Sequence, residues 1–273
     1  MPDVYATIAH AQRDVQERLA DVIELRAADP RYQAMVRAYL SDIAFPPRTR
    51  ALEIGCGTGF ITRTLARWSN VERAVGIDPS SVFIERARTL AAEIANCSFQ
   101  EADGRSLPFE AQSFDAAIVH TTMSHVPQPE HLIAEAFRVL RPTGWFAVFD
   151  GDYATATVAI NEFDPLQACI GAFRTNFVND PWLIRRLPQL VRTGGFELVS
   201  VQSHGYAEAP SGGYMLTWID RGADVLVQNG CIGKQAADAL KAEAQRRSAE
   251  MTWFGHIAFA SVIARKPARS ASA

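Results

Sequence analysis

Apolar positions in the first 45 residues recur at helical intervals. Val15, Leu19, Val22 and Ile23 follow one another at short helical steps, and the same spacing returns in residues 32–43. This period is that of an amphipathic helix with one buried face. We therefore expect helices over 12–25 and 32–43, which end at Phe45-Pro46-Pro47 because proline breaks helices and restricts its predecessor. Residues 1–49 are thus predicted to form an N-terminal helical cap.

From residue 50 onward, short apolar runs alternate with amphipathic stretches. Strands joined by helical crossovers form a parallel sheet with helices on both faces. The pattern therefore predicts an α/β domain over residues 50–205 and 253–267. The predicted strands are 50–54, 73–77, 97–101, 114–120 and 145–150, and the predicted helices between them are 60–68, 80–95 and 129–140.

Beyond residue 150 the pattern is less regular up to Pro181. A helix over 182–193 is then predicted to end at Gly194-Gly195, because glycine is a common helix stop. Apolar runs at 197–202 and 256–264 predict two last strands, and more than fifty residues separate them.

The long segment between the last two strands exceeds what a hairpin needs. Residues 206–252 carry one apolar helical stripe around Trp218 and a second predicted helix over 236–251. We interpret this segment as a helical insertion that forms a substrate lid, and a dimerisation surface or a scaffold extension is the alternative. Residues 268–273 are predicted to be a disordered tail.

A glycine-rich loop follows the first predicted strand, in Leu52-Glu53-Ile54-Gly55-Cys56-Gly57-Thr58-Gly59. Alternating glycines let the backbone turn sharply and approach a ligand, while the next helix offers unpaired N–H groups. The dinucleotide fingerprint G-x-G-x-x-G would place its third glycine at Phe60. The spacing therefore indicates a nucleotide-type loop but disfavours NAD.

The glycine loop resembles motif I of the class I S-adenosylmethionine-dependent methyltransferases, whose pattern is E/D-x-G-x-G-x-G. Further segments follow in the order of that family, and one departure is Thr143, where glycine is usual. They are Asp78 after the second strand, Glu101 to Gly104, Leu107 to Phe109, Phe114 to Val119, and His131 to Pro142. The chain is most similar to the small-molecule branch, which includes the ubiquinone and menaquinone C-methyltransferases.

This resemblance implies a Rossmann-like, doubly wound, seven-stranded and mostly parallel sheet with an antiparallel last strand. It also implies S-adenosyl-L-methionine as cofactor. Glu53 and the glycine backbone would hold the methionine and ribose portion, Asp78 the ribose hydroxyls, and Asp103 the adenine amino group. The residues implied to bind cofactor are Glu53, Gly55, Cys56, Gly57, Thr58, Gly59, Asp78, Pro79, Asp103, Gly104 and His120.

Two of these acids also suit plain structural roles. Asp78, Pro79 and Ser80 favour a helix start, where the acid caps backbone N–H groups. Asp103 before Gly104 is typical of a turn. Either role is compatible with ligand contact.

Methyl transfer is an in-line displacement that needs a positioned acceptor and, for a weakly acidic one, a base. Candidate catalytic residues are His125, Asp152 and Tyr153, which follow predicted strands at the catalytic edge, and His120 and Asp150 lie nearby. His125 could instead hold its loop by hydrogen bonds, and Asp152 could cap a tight turn.

Composition excludes several partners. With a net charge of -3 and no run of like charges, a nucleic-acid or anionic-membrane partner is disfavoured. No segment resembles a signal peptide or a membrane span of ~18 residues, so a cytoplasmic location is expected. Scattered cysteines and the histidine pair His204 and His256, without an acidic third ligand, predict no metal site. A homodimer stays open.

The preferred function is methyl transfer to a small, partly aromatic or apolar molecule at carbon, oxygen or nitrogen. Aromatic residues of the variable regions would suit such a pocket, namely Trp182, Tyr206, Tyr214, Trp218, Trp253 and Phe254. The alternative is a cofactor-binding scaffold or regulatory protein without methyl transfer, because a fold does not fix a function.

Overall fold

A central mixed sheet organises the chain in the computed structural model, which describes residues 3–268. Within these residues the sheet has seven strands in the order β3-β2-β1-β4-β5-β7-β6. The strands are β1 (Thr49–Ile54), β2 (Val71–Asp78), β3 (Cys97–Glu101), β4 (Phe114–His120), β5 (Leu140–Thr157), β6 (Glu197–Glu208) and β7 (Gly255–Arg265).

Helices cover both faces of this sheet. Two short 3-10 helices, Ile8–His10 and Met123–His125, lie near its carboxyl edge. The α-helices are α1 (Arg13–Ala28), α2 (Pro30–Ser41), α3 (Phe60–Ala66), α4 (Ser81–Leu90), α5 (Pro129–Val139), α6 (Leu166–Phe177), α7 (Leu183–Thr193), α8 (Leu216–Gln228) and α9 (Lys234–Ala249).

The strand pairing confirms the predicted fold class. β1 to β5 pair in parallel, whereas β7 is antiparallel to both β5 and β6. The strand order reverses between β1 and β4, which is the point where ligands bind in open α/β sheets. The glycine loop after β1 and the loop after β4 therefore border one crevice.

The less regular pattern between 151 and 181 did not reveal two elements that the structure has there. β5 continues through Thr157, and a full helix, α6, follows it. The strand continues because its distal part pairs with β7, where Asp152 lies opposite Ala258 and Thr157 opposite His256. This partner is about a hundred residues away in sequence, so local periodicity gave no sign of it.

The insertion begins later than predicted, because β6 runs to Glu208 alongside β7. α8 then packs against α6, and the rings of Phe173 and Trp218 stack with centroids 4.4 Å apart. The insertion is thus joined to the sheet through a neighbouring helix. Of the predicted tail, residues 269–273 lie outside the described residues.

None of the described helices combines the length and apolar character required to cross a bilayer. The two N-terminal helices instead lie across the carboxyl edge of the sheet. α1 contacts α4 through ion pairs of Arg13 with Glu85 and of Arg86 with Asp21.

The contact between α6 and α8 depends on a glycine. A Cβ at Gly222 would lie 2.0 Å from the backbone oxygen of Cys169, whereas a Cβ at Gly171, on α6, meets nothing within 4 Å. We expect Gly222→Ala to lower the free energy of unfolding by about 1–3 kcal/mol, because the backbones must separate. Gly171→Ala is the matched control and should raise it by about 0.5–1 kcal/mol, since alanine favours helix. Urea unfolding measures both, and equal effects would contradict this account of the helix contact.

Candidate active site

One cavity of about 260 Å³ lies at the carboxyl edge of the sheet. Its walls come from the glycine loop, the ends of β2 and β4, the N-terminal segment, and helices α1, α6 and α8. The end bordered by the glycine loop is called the cofactor end below. The end bordered by Tyr5, Tyr153, Phe173, Tyr214 and Arg221 is called the acceptor end.

The glycine loop adopts a backbone that other residues disfavour. Gly55, Gly57 and Gly59 have φ values of 76°, 50° and 82°, in the left-handed region. A Cβ at Gly55 would meet Thr122 at 2.3 Å, and one at Gly59 would meet the ring of Phe99 at 2.5 Å. At Gly57 the nearest atom is a methyl of Ile23 at 3.4 Å, so this glycine leaves open space beside the cavity.

Asp78 ties the glycine loop to the start of α4. One carboxylate oxygen accepts the N–H of Gly57 at 2.9 Å, and the other accepts the N–H of Ser80 at 2.9 Å. Burial raises the pKa of Asp78 to about 6, although these two backbone bonds oppose the rise. The acid therefore performs the structural role that the sequence allowed, while also lining the cavity together with Pro79.

Glu53 is buried between β1 and α3. Its carboxylate accepts the N–H of Thr62 at 2.7 Å and the Thr62 hydroxyl in a short bond. Burial raises its pKa to about 8, and the bonds from Thr62 oppose that rise. Glu53 borders the cavity and orients the first turn of α3.

The far side of the cofactor end is formed by Asp103 and Gly104. The Asp103 carboxylate pairs with Arg105 at 2.7 Å, and this partner lowers its pKa. A Cβ at Gly104 would come within 2.5 Å of Ile54. Asp103 is half exposed, so it keeps oxygen surface for a ligand.

Among the loop residues, Cys56 borders the cavity, but Thr58 and Gly59 do not. The Thr58 hydroxyl donates to Glu24 at 2.5 Å. Gly59 precedes α3 and packs against Phe99. These two residues therefore hold the conformation of the glycine loop from the side away from the cavity.

His120 is held between two tyrosines of α2. Tyr32 contacts its Nε2 at 2.5 Å and Tyr39 its Nδ1 at 3.0 Å, and the imidazole stacks on Phe149 with centroids 4.8 Å apart. Burial, together with the charge of Arg26, holds the pKa of His120 well below its usual range. A neutral imidazole with both nitrogens engaged is a fixed part of the wall and no proton acceptor.

His125 is paired with an acid from the N-terminal segment. Its Nδ1 lies 2.6 Å from Asp3, which is buried and also accepts the N–H of Asn179 at 2.8 Å. The imidazole borders the cavity, with the ring of Tyr5 at 4.7 Å and that of Tyr153 at 6.2 Å. Because Nδ1 is engaged, Nε2 is the nitrogen available to a ligand.

Asp150 holds the loop that carries His125. Its carboxylate accepts the backbone N–H and the hydroxyl of Ser124 at 2.9 and 3.0 Å. It is fully buried, and burial raises its pKa. We interpret Asp150 as a structural anchor for the 3-10 turn over Met123–His125.

Asp152 and Tyr153 point in opposite directions, and the turn that Asp152 could have capped is part of β5. Both lie within β5, where successive side chains point to opposite faces. Asp152 pairs with Arg185 at 2.8 Å outside the cavity, whereas Tyr153 lines it and stacks on Trp218 with centroids 5.8 Å apart. Burial raises the pKa of Tyr153 well above its usual value, so it is a neutral phenol.

Two histidines that the sequence suggested as a pair have separate surroundings. His204 contacts the Ser261 hydroxyl at 2.9 Å, and His256 pairs with Ala207 and Thr157 in the sheet. Within the described part of the chain no group of three or more histidines, cysteines or acids is placed to hold a metal ion.

The sequence profile of a family described as a methyltransferase domain matches residues 52–148, from β1 into β5. That segment includes the glycine loop, Asp78, Asp103 and His125. Residues 52–148 therefore match a methyltransferase domain, as the resemblance to the class I S-adenosylmethionine-dependent methyltransferases predicts.

One curated relative is 27-O-demethylrifamycin SV methyltransferase of Amycolatopsis mediterranei. It is 32% identical over 151 residues, which cover 54% of this chain and 48% of that protein. The chain spans less than half the length of the curated relatives that it matches. The likeness to the quinone C-methyltransferase branch stays a prediction.

Solved structures share the fold at low identity. The YcgJ protein from Bacillus subtilis has a TM-score of 0.60 and 17% identity over 87% of this chain and 100% of that one. The [4+2]-cyclase SpnF has a TM-score of 0.55 and 22% identity over 87% of this chain and 81% of that one.

The acceptor end of the cavity contains residues that the sequence did not single out. They come from the N-terminal segment, α1, α6 and α8, and they are Tyr5, Arg26, Phe173 and Arg221. Of the six aromatic residues predicted for the pocket, Tyr214 lines it, whereas Trp182 and Phe254 are largely exposed. These four missed residues lie in segments whose helical or irregular pattern is ordinary. The one local sign of a functional position was an arginine among apolar neighbours, as at Arg26.

The pKa of Glu53 makes the stability of the folded chain depend on pH. The pKa of Glu53 in the folded protein is about 8, above the ordinary 4.5. The contribution of protonated Glu53 to the free energy of unfolding is therefore full below pH 4.5 and is lost as the pH rises through 8. We expect Glu53→Gln to gain stability relative to wild type between pH 5 and pH 9, because each pKa unit is worth about 1.4 kcal/mol.

Urea unfolding of the ligand-free protein measures this difference. Glu93→Gln, at an exposed position, is the matched control and should differ from wild type by a constant amount at every pH. A constant offset for Glu53→Gln as well would contradict the assigned pKa.

Proposed function

We propose that this chain transfers a methyl group from S-adenosylmethionine to a small, partly aromatic or apolar molecule. The observation that carries the proposal is one continuous cavity, which joins the glycine loop and Asp78 at one end to aromatic side chains and His125 at the other. Transfer requires donor and acceptor to share one enclosed space, so that the reacting atoms stay aligned.

The cofactor end suits the proposed donor. Gly57 has positive φ and leaves open space that a Cβ would enter, as close backbone contact with a ligand requires. Each carboxylate oxygen of Asp78 accepts one backbone N–H, yet it has a second lone pair for a ribose hydroxyl. Asp103 and Gly104 would face the adenine.

Residues at the border of the two ends would hold the methionine portion. Arg26 donates to the Thr121 hydroxyl at 2.8 Å, and Thr122 donates to the backbone oxygen of Gly55 at 3.0 Å. The carboxylate of the methionine portion would pair with the positive charge of Arg26. Its ammonium group would donate a hydrogen bond to the backbone oxygen of Gly55. When bound, the cofactor supplies an electrophilic methyl group on a sulfonium ion.

His125 is the proposed base for an acceptor that must lose a proton. Asp3 holds Nδ1 and so fixes the tautomer in which Nε2 accepts the proton. Tyr153 is a neutral phenol, because burial raises its pKa, and would position the acceptor by a hydrogen bond. Asp152, outside the cavity, is left with a structural role.

α8 supplies part of the cavity wall through Arg221, and Tyr214 precedes it. We propose that this insertion encloses the acceptor and excludes water, as lids of enzymes do. A dimer contact through the same insertion stays the alternative.

Cofactor binding without transfer is the second candidate function. The specific observation is the fold likeness to SpnF, whose name describes a [4+2]-cyclase. A shared fold does not determine which reaction its cavity performs. Incubation with a metabolite extract and an isotopically labelled methyl donor separates the two candidates, because only a transferase yields a labelled product.

Replacing Asp78 should weaken cofactor binding. Asp78→Ala removes a charged acceptor, which is worth about ten- to hundredfold in affinity. Calorimetric titration with S-adenosylhomocysteine measures it, and Asp238→Ala, at an exposed position of α9, should bind as wild type does. Unchanged affinity in a folded Asp78→Ala protein would contradict the proposed site.

Replacing His125 should slow transfer while leaving cofactor affinity intact. A general base contributes about 10² to 10⁴ in rate, so kcat of His125→Gln should fall by that factor with the acceptor that the labelling screen identifies. Asp152→Asn is the comparison variant and should retain activity, since its side chain lies outside the cavity. A loss of tenfold or less in His125→Gln would mean that positioning alone drives transfer.

A further inference from the structure

Two arginines border the cavity without an acidic partner. Arg26 and Arg221 both line it, and neither forms an ion pair with a carboxylate of residues 3–268. The charge of Arg221 acts on Asp220, its neighbour in α8, but Asp220 does not line the cavity. A cation removed from water is costly unless an anion or a full set of hydrogen bonds compensates it.

The hydrogen bonding of both arginines is incomplete. The Nε of Arg26 and the Nη1 of Arg221 are buried and have no hydrogen-bond partner. The Nε of Arg221 donates only a long bond of 3.3 Å, to the backbone oxygen of Thr217. Its guanidinium otherwise lies over the rings of Phe173 and Phe177, 4.6 and 5.0 Å from their centroids.

The two arginines occupy different places in the cavity. Arg26 bonds Thr121, directly after β4, and therefore lies where the two ends meet. Arg221 contacts α6 and interacts with Tyr5, whose pKa is raised by burial while the charge of Arg221 opposes the rise. Arg221 is thus the cation of the acceptor end.

The acids that line the cavity lie at its cofactor end, while two buried carboxylates behind the lining, Asp3 and Asp150, are bonded to His125 and Ser124. The acids in the cavity wall are Glu53, Asp78 and Asp103. The acceptor end offers phenol hydroxyls from Tyr5, Tyr153 and Tyr214, and no carboxylate in its wall balances Arg221 within the described residues.

We infer that the acceptor molecule carries a carboxylate, which pairs with Arg221 and accepts a hydrogen bond from Tyr5, while its apolar part packs against Phe173 and Tyr153. One negative charge balances the one cation at this end, whereas a phosphate dianion would leave excess charge beside the phenylalanine rings. This inference rests on the proposed function, since it describes the acceptor of that reaction.

Binding of simple aromatic acids tests the inference. The probes are phenylacetate, hydrocinnamate and cinnamate, each compared with its carboxamide and with phenyl phosphate, titrated into the protein saturated with S-adenosylhomocysteine. We expect the acids to bind about ten- to hundredfold more tightly than the amides, as for a charged hydrogen bond. Equal affinity of acids and amides, failure of every acid to bind, or a preference for phenyl phosphate would overturn the carboxylate assignment.

Variants of Arg221 locate the effect. Arg221→Met should lose the preference for acids, Arg221→Lys should keep part of it, and both should bind S-adenosylhomocysteine as wild type does. Arg192→Met, at an exposed position of α7, is the matched control and should keep the full preference. A preference that survives in Arg221→Met would overturn the assignment to this residue.

The labelling screen supplies an independent reading. The methylated product should be retained on an anion-exchange resin at neutral pH, and a product that passes through would contradict the inference while leaving methyl transfer intact. By contrast, a wild-type protein that fails to bind S-adenosylhomocysteine would refute the proposed function itself.

Discussion

The cavity depends on the contact between His120 and the two tyrosines of α2. His120 ends β4, at the point where the strand order reverses. Its contacts with the two tyrosines therefore hold α2 beside the crevice. Tyr32 and Tyr39 lie about two turns apart on the same face of α2. Each tyrosine hydroxyl contacts a different nitrogen of the His120 ring. α1 is joined directly to α2, and the position of Ile23 and Arg26 above the glycine loop follows from this anchorage.

The contact also sets a limit on chemistry. Burial and the charge of Arg26 hold the pKa of His120 well below its usual range, so the ring is neutral. One of its nitrogens then donates to a tyrosine hydroxyl, and the other accepts from the second tyrosine. Of the two histidines near the end of β4, one is therefore a structural element and the other, His125, keeps a free nitrogen.

Local sequence signals were enough to place the glycine loop, Asp78 and Asp103 at one edge of the sheet. The glycines, the acid after β2 and the turn at Asp103 each act through neighbours close in the chain, so spacing and residue type were enough to predict their positions at the edge of the sheet. Their ligand contacts stay predictions. The acid Asp78 shows that a cap and a candidate ligand site can be one residue, since its two oxygens bond two different backbone segments.

The acceptor end was beyond local signals. Tyr5, Phe173 and Arg221 come from segments more than 40 residues apart, and only tertiary packing brings them together. The separation of Asp152 from Tyr153 was equally beyond local signals. Pairing with β7 keeps both residues extended, and the alternation of a strand then separates them to opposite faces.

The position of β7 has a consequence for assembly. β7 lies between β5 and β6 and pairs with both, so β6 joins the sheet only through a strand that comes after it in the chain. The insertion begins after β6 and ends at β7, so α8 belongs to a segment whose two ends are fixed by paired strands. The part of the acceptor wall that α8 supplies is consequently held at both ends by adjacent strands of the sheet, β6 and β7.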